Sequence, residues 1–128
     1  MDINVGGGST QFEVKAIDLN GEDSDDVVLD LDLDNTNSNV TMFVLQNTVD
    51  EIEIEGIDDG TEGRRIILVN DTGNVIKFKF DTGTAEDRIL NYTSEVQFTD
   101  KGGSVELVYT EEVSGSGRWI AYSLVKGQ

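Results

Sequence analysis

The most informative stretch of this 128-residue chain is Gly63-Arg64-Arg65-Ile66-Ile67-Leu68-Val69-Asn70-Asp71-Thr72-Gly73-Asn74. Ile66 and Leu68 recur with the period of two that is typical of a half-buried β-strand. Asp71, Thr72, Gly73 and Asn74 are turn residues, because such residues accept positive φ or hydrogen-bond to their own backbone. The stretch therefore predicts one strand followed at once by a turn.

The same period of two continues in both directions from this stretch. Apolar residues alternate with charged or polar ones at Phe12-Val14-Ala16, Leu29-Leu31-Leu33, Ile52-Ile54, Ile76-Phe78-Phe80, Val96-Phe98, Val105-Leu107-Tyr109 and from Trp119 to Val125. In each run we expect the apolar side to face inward and the carboxylates to face outward. No window shows a helical period.

Turn residues separate the predicted strands. They occur at Asn20-Gly21, Asp59-Gly60, Asp71 to Asn74, Lys101 to Gly103 and Ser114 to Gly117. About nine or ten strands at this spacing predict an all-β fold, an antiparallel β-sandwich of the jelly-roll type, as one domain over residues 11–128. Residues 1–10, with three consecutive glycines, are expected to form a flexible N-terminal arm.

Composition removes several function classes. The chain contains no Cys, no His and no Pro, so thiolate metal sites and the usual general base are absent. We therefore expect a protein that is not an enzyme and that needs no cofactor. No stretch approaches the roughly 20 apolar residues that cross a bilayer, and the N-terminus lacks the pattern of a signal peptide. We expect synthesis in a cytoplasm and no membrane contact.

The formal charge of −17 is concentrated in the first half of the chain, where residues 1–63 hold 17 acidic and one basic residue. Such a field repels nucleic acid, which is bound through Lys and Arg, so nucleic-acid binding is not expected. The acidic half suits either a solvated face or docking on a basic partner surface.

Two groups of residues invite more specific hypotheses. The acidic loop is a weak candidate for calcium, because a turn can bring several oxygen ligands together; its residues are Asp18, Asn20, Glu22, Asp23, Asp25 and Asp26. The aromatic residues Trp119, Tyr122, Tyr92 and Tyr109 could form a platform for sugar stacking, although Trp119 and Tyr109 stand in runs that also supply core residues. We expect core packing for these two.

From about Val40 to Val125 the chain resembles a β-module of tailed-phage particles. The resemblance rests on an ordered series of motifs: Ile54 to Ile57, Gly63 to Asn70, Asp71 to Asn74, Ile76 to Phe80, Ala85 to Leu90, Gly103 to Tyr109, and Arg118-Trp119. The chain departs from the module's pattern in its strongly acidic first half and in the longer turn at residues 111–113.

The resemblance implies a virion surface protein, commonly trimeric, with no catalytic residues. The length favours a capsid decoration or head-fibre protein bound to the major capsid protein or another virion protein; a tail-fibre or receptor-binding module for host carbohydrate is the alternative. Partner contacts are expected from Ile3 and Val5 in the arm, and from Arg64, Arg65 and Arg88, which can balance carboxylates at subunit contacts.

Overall fold

The computed structural model describes residues 12–81, 88–91, 97–113 and 117–127. These residues form ten strands: β1 (Glu13–Asp18), β2 (Val27–Leu29), β3 (Val40–Gln46), β4 (Ile52–Ile57), β5 (Arg65–Asn70), β6 (Ile76–Phe78), β7 (Ile89–Asn91), β8 (Gln97–Thr99), β9 (Ser104–Thr110) and β10 (Arg118–Val125). No helix occurs in these ranges, and in particular none that is long and apolar enough to cross a membrane. The all-β prediction is confirmed. The predicted arm, with Ile3 and Val5, lies outside the described residues.

The strands build two sheets. The six-stranded sheet has the order β1-β3-β5-β9-β10-β7, and the four-stranded sheet has the order β2-β4-β6-β8. From β1 to β6 the chain alternates between the sheets, and strands that return to the same sheet start about 25 residues apart. The path is therefore solenoid-like over three turns, and the antiparallel pair β9 and β10 completes the larger sheet.

Both sheets are mixed, which differs from the antiparallel jelly roll expected from the sequence. The pairs β1/β3, β3/β5, β2/β4, β4/β6 and β7/β10 are parallel. The reason lies in the turns: the one at Asp71 to Asn74 takes the chain from β5 in one sheet to β6 in the other. Because the intervening strand serves as the crossover that parallel pairing requires, consecutive strands do not form hairpins there.

The turn after β5 explains the polar residues of the segment Asn70-Asp71-Thr72-Gly73-Asn74. Asn70 is buried, and its Nδ2 donates to the backbone oxygens of Asn74 at 2.9 Å and Thr99 at 3.0 Å. Its Oδ1 accepts from the Thr72 backbone N at 2.9 Å and from Thr72 Oγ1 at 2.7 Å. Because these groups satisfy one another inside the protein, the turn can bend sharply without leaving buried polar atoms unpaired.

Buried side chains from both sheets form one hydrophobic cluster. Its largest fully buried members are Trp119, Phe43 and Phe78. The predicted inward positions are confirmed for Ile52, Ile54, Ile66, Leu68, Ile76, Phe78, Val105 and Leu107. Phe80 is half-buried, and Val96 lies outside the described residues. The core lies between the sheets, so each sheet keeps one face directed away from it.

The first predicted strand has the opposite phase. Phe12 and Val14 are 52% and 56% exposed, while Ile17 packs against the core and Leu19 is buried. The register of β1 against β3 aligns Ile17 with the buried Leu45 and Val14 with the half-buried Met42. The prediction that Phe12, Val14 and Ala16 face inward is therefore wrong. Val14 and Ala16 lie on the side of the sheet that faces away from the core, and Phe12 is exposed.

Candidate functional site

The side of the six-stranded sheet that faces away from the core is largely apolar, and we call it the outer face. Along β5 and β9 every second residue is buried, and the residues between them are half-buried or exposed. Paired residues of neighbouring strands place these outward positions in three rows that cross the sheet. The rows are Val14-Met42-Ile67-Glu106-Ser123, Ala16-Val44-Val69-Ser104-Val125 and Arg65-Val108-Ile120-Leu90.

One ion pair interrupts the outer face. Arg65 Nη2 donates to Glu106 Oε1 at 2.9 Å, and Arg65 Nε donates to the Tyr122 hydroxyl at 3.0 Å. The bond to Glu106, followed by that to Tyr122, raises the pKa of Arg65. Arg65 and Glu106 are the only charged residues in the three rows, so these rows carry no net charge.

The four-stranded sheet and its loops form the acidic side of the protein. Residues 22–34 and 50–59 hold 13 of the 26 acidic residues and no Lys or Arg. The neighbouring β6 supplies Lys77, which pairs with Glu51 at 2.9 Å, and residue Lys79 directly after it pairs with Asp26. These two lysines offset only part of the charge, so the side remains strongly negative.

Repulsion is visible at one end of the acidic side. Partial burial, and then the nearby charges of Asp34 and Asp58, raise the pKa of Asp59. Asp59 also has φ of 68°, a left-handed conformation that Asp adopts more readily than most other residues. This end of the protein is therefore held by its surroundings against an unfavourable local charge.

The three arginines predicted to bind a partner have different surroundings. Arg64 is half-buried, and its Nη2 donates to the carbonyls of Val40 at 2.6 Å and Asn37 at 3.1 Å. Burial lowers its pKa. Arg88 lies just before β7, and its Nη1 is 3.8 Å from Asp81 Oδ1. Arg65 is the member of this trio that lies on the outer face.

The acidic loop that was considered for calcium has other contacts. Asp18 Oδ1 accepts from the Asn20 backbone N at 2.8 Å, and the hydrogen bond from Lys79 lowers the pKa of Asp26. No three Asp or Glu side chains in the described ranges converge as metal ligands. The remaining candidates of this loop, Glu22, Asp23 and Asp25, are exposed.

A cleft of about 230 Å³ lies beside this loop. Its walls include three carboxylates and three aliphatic side chains, contributed by Glu22, Asp23, Asp50, Leu19, Val49 and Ile52. The cleft is therefore smaller than a typical small-molecule site, which has a volume of roughly 300–1,000 Å³.

The aromatic residues divide between the core and the outer face. Trp119 is fully buried, its Nε1 donates to the Ile57 carbonyl at 2.9 Å, and Tyr109 meets it edge to face with centroids 5.3 Å apart. The expected core packing of both is thus confirmed. Tyr122 is 45% exposed beside Arg65, and Tyr92 lies outside the described residues.

Sequence reasoning missed the apolar residues of the outer face, because it assigned the outward positions to carboxylates. A signal was present: Met42 to Leu45 and Ile66 to Val69 are unbroken apolar runs. Runs of this kind are typical of parallel strands that are covered on both faces. Comparison of the chain with protein-family models, curated proteins and solved structures finds no match.

Proposed function

We propose that the protein is a non-enzymatic structural component of a tailed-phage particle, a capsid decoration or head-fibre protein that binds the assembled shell at the virion surface. The observation that carries this proposal is the ordered series of motifs from Gly63 to Trp119. Two of these motifs lie at the start of a strand. Gly63, with φ of 81°, comes shortly before β5, and Arg118-Trp119 begins β10. A shared module of this kind would preserve such residues because the fold depends on them.

The distribution of surface properties supports a function in binding. One side of the protein is largely apolar and has a single ion pair in its three rows, the other is acidic, and the cleft between residues 19 and 52 is small. A protein that binds only the assembled lattice stabilises it by mass action, without chemistry. The acidic side suits a shell surface rich in Lys and Arg, because opposite potentials favour both encounter and register.

A receptor-binding module for host carbohydrate is the second candidate. The observation that favours it is the group of Tyr122, Arg65 and Glu106, in which an exposed aromatic ring stands beside a cation and a carboxylate. Sugars are held by such combinations of a stacking surface with polar groups. Binding of host-surface glycans that Tyr122→Ala abolishes would favour this candidate.

The test uses particles produced with and without the gene for this chain. We expect images of complete particles to show many copies on the head, and particles without the protein to release their DNA at a lower temperature. Purified protein added back should bind these particles and restore their heat resistance. Few copies located on the tail would support the second candidate, and absence from the particle would refute both.

A further inference from the structure

We infer that the outer face of the six-stranded sheet is the contact between copies of this chain, in which the outer face of one copy packs on the outer face of a second copy. This inference does not rest on the proposed function, because association in solution needs no particle. The occupant is the chain itself, and the contact surface is formed by the three rows of β1, β3, β5, β9, β10 and β7.

The first step concerns the strands. Parallel pairing runs from β1 through β3 to β5, and sheets with such pairing are normally covered on both faces. Here the four-stranded sheet covers one face only. The other exposes Val14 and leaves Val44, Ile67 and Val69 half-buried, so a contiguous apolar surface faces solvent. Contiguous apolar patches of this kind mark interaction sites.

The second step concerns the identity of the occupant. The outer face has one cation and one anion in its three rows, whereas the acidic side has 13 carboxylates and no Lys or Arg within residues 22–34 and 50–59. A basic partner is attracted to the acidic side, not to the neutral face. Another copy can approach without charge repulsion only through its own neutral face, which gives the two-fold self-complementary contact common in homo-oligomers.

The size and composition of the face agree with this contact. The three rows hold 14 residues, and a spacing of about 4.8 Å between strands and about 6.7 Å between rows gives roughly 450 Å² per copy. Two copies would bury roughly 900 Å², which is the size of a weak, reversible interface. Arg65 and Tyr122 are residues of the types that dominate interface energies, and they lie at one end of the face.

The experiment measures mass by sedimentation equilibrium over about 1 to 100 µM, the range in which an interface of this size dissociates. We expect the unmodified protein to form dimers or larger assemblies. Val69→Lys, on the central strand β5 in the row Ala16-Val44-Val69-Ser104-Val125, should weaken association at least about tenfold. Its matched control is Val49→Lys, because Val49 is 76% exposed and lies outside the face. Both changes reduce the net negative charge by the same amount, so the two variants differ in whether the added lysine lies on the face.

A second variant separates association from folding. Val44→Thr combined with Val69→Thr keeps side-chain size and β-branching, so the strands should form, as Trp119 fluorescence and circular dichroism can verify. This folded double variant should also associate more weakly. The inference is wrong if the protein is monomeric up to about 100 µM. It is also wrong if Val49→Lys weakens association as much as Val69→Lys does. Association that survives both face variants but is lost when residues 1–11 are removed would overturn it too.

Discussion

The Tyr109 ring gives the sharpest test of the packing. It is 4% exposed, and two glycines approach it: a Cβ on Gly117 would collide with the Tyr109 hydroxyl, and a Cβ on Gly60 would collide with Tyr109 Cδ2. The ring cannot move inward, because the fully buried Trp119 meets it edge to face. Gly117→Ala should therefore destabilise the protein although the change adds only one methyl group.

The expected size of the effect follows from overpacking. Forcing a methyl group into a packed core costs about 1–3 kcal/mol. For a chain of this length, each kcal/mol corresponds to roughly 3–5 °C in melting temperature, so a loss of about 3–15 °C is expected. Gly73→Ala is the matched control, since a Cβ there meets nothing within 4 Å and Gly73 has no positive φ. It should leave stability unchanged or raise it by about 0.4–1 kcal/mol.

Two further variants separate a steric cause from a backbone cause. Gly63→Ala adds a Cβ into open space but retains φ of 81°, so its cost of about 1–2 kcal/mol would come from the backbone alone. Tyr109→Phe removes the nearest atom that the Gly117 Cβ would meet, although the ring Cζ remains close, so the double variant should recover part of the loss and be more stable than the two separate losses predict. Urea unfolding followed by Trp119 fluorescence measures the stability of all five variants. If Gly117→Ala is as harmless as Gly73→Ala, or if the two losses simply add, the proposed packing is wrong.

Three other changes test the core, the acidic side and the arm. Trp119→Phe keeps a ring but leaves the Ile57 carbonyl without its donor, so unfolding should cost about 1–3 kcal/mol less, against about 3–5 for Trp119→Ala; a loss near zero for Trp119→Phe would show that the hydrogen bond contributes nothing. The raised pKa of Asp59 means that its charge destabilises the folded state above that pKa, so Asp59→Asn should raise the melting temperature at pH 7. That gain should shrink as pH falls through the folded pKa and the native carboxyl is protonated, while Asp50→Asn, used as the control, should change little. Deletion of residues 1–9 should leave melting almost unchanged but weaken attachment to the particle, and undiminished occupancy would contradict a role of the arm in attachment.

The sequence predicts the strands well because alternation depends on local chemistry. Ile52, Ile54, Ile66 and Leu68 are inward because each is separated from the next by one residue and a sheet has two sides. It does not predict which strands become neighbours. Turn residues such as those at Asp71 to Asn74 specify a bend, but the same bend can return the chain to its own sheet or carry it to the other one.

The candidate surface was predictable only in part. Arg65 was identified as a contact residue and lies on the outer face, where it bonds Glu106 and Tyr122. The apolar positions around it were missed, because alternation alone does not show whether the second side of a strand meets water or protein. Val14 illustrates the limit: its apolar character was interpreted as inward, although its aligned neighbour Met42 also lies outside the core.

The neutral face and the acidic side follow from the same path of the chain. Each solenoid-like turn adds one strand to each sheet, and strands of neighbouring turns lie side by side in the same sheet. A difference in sequence between the two strands of a turn therefore becomes a difference between the two sheets. The β2 and β4 segments bring carboxylates to one side, and β3 and β5 bring apolar residues to the other. At physiological salt, acidic sides repel one another within about 8 Å, so copies are directed to meet through their neutral faces. The acidic sides then point away from the contact, where a basic surface can reach them.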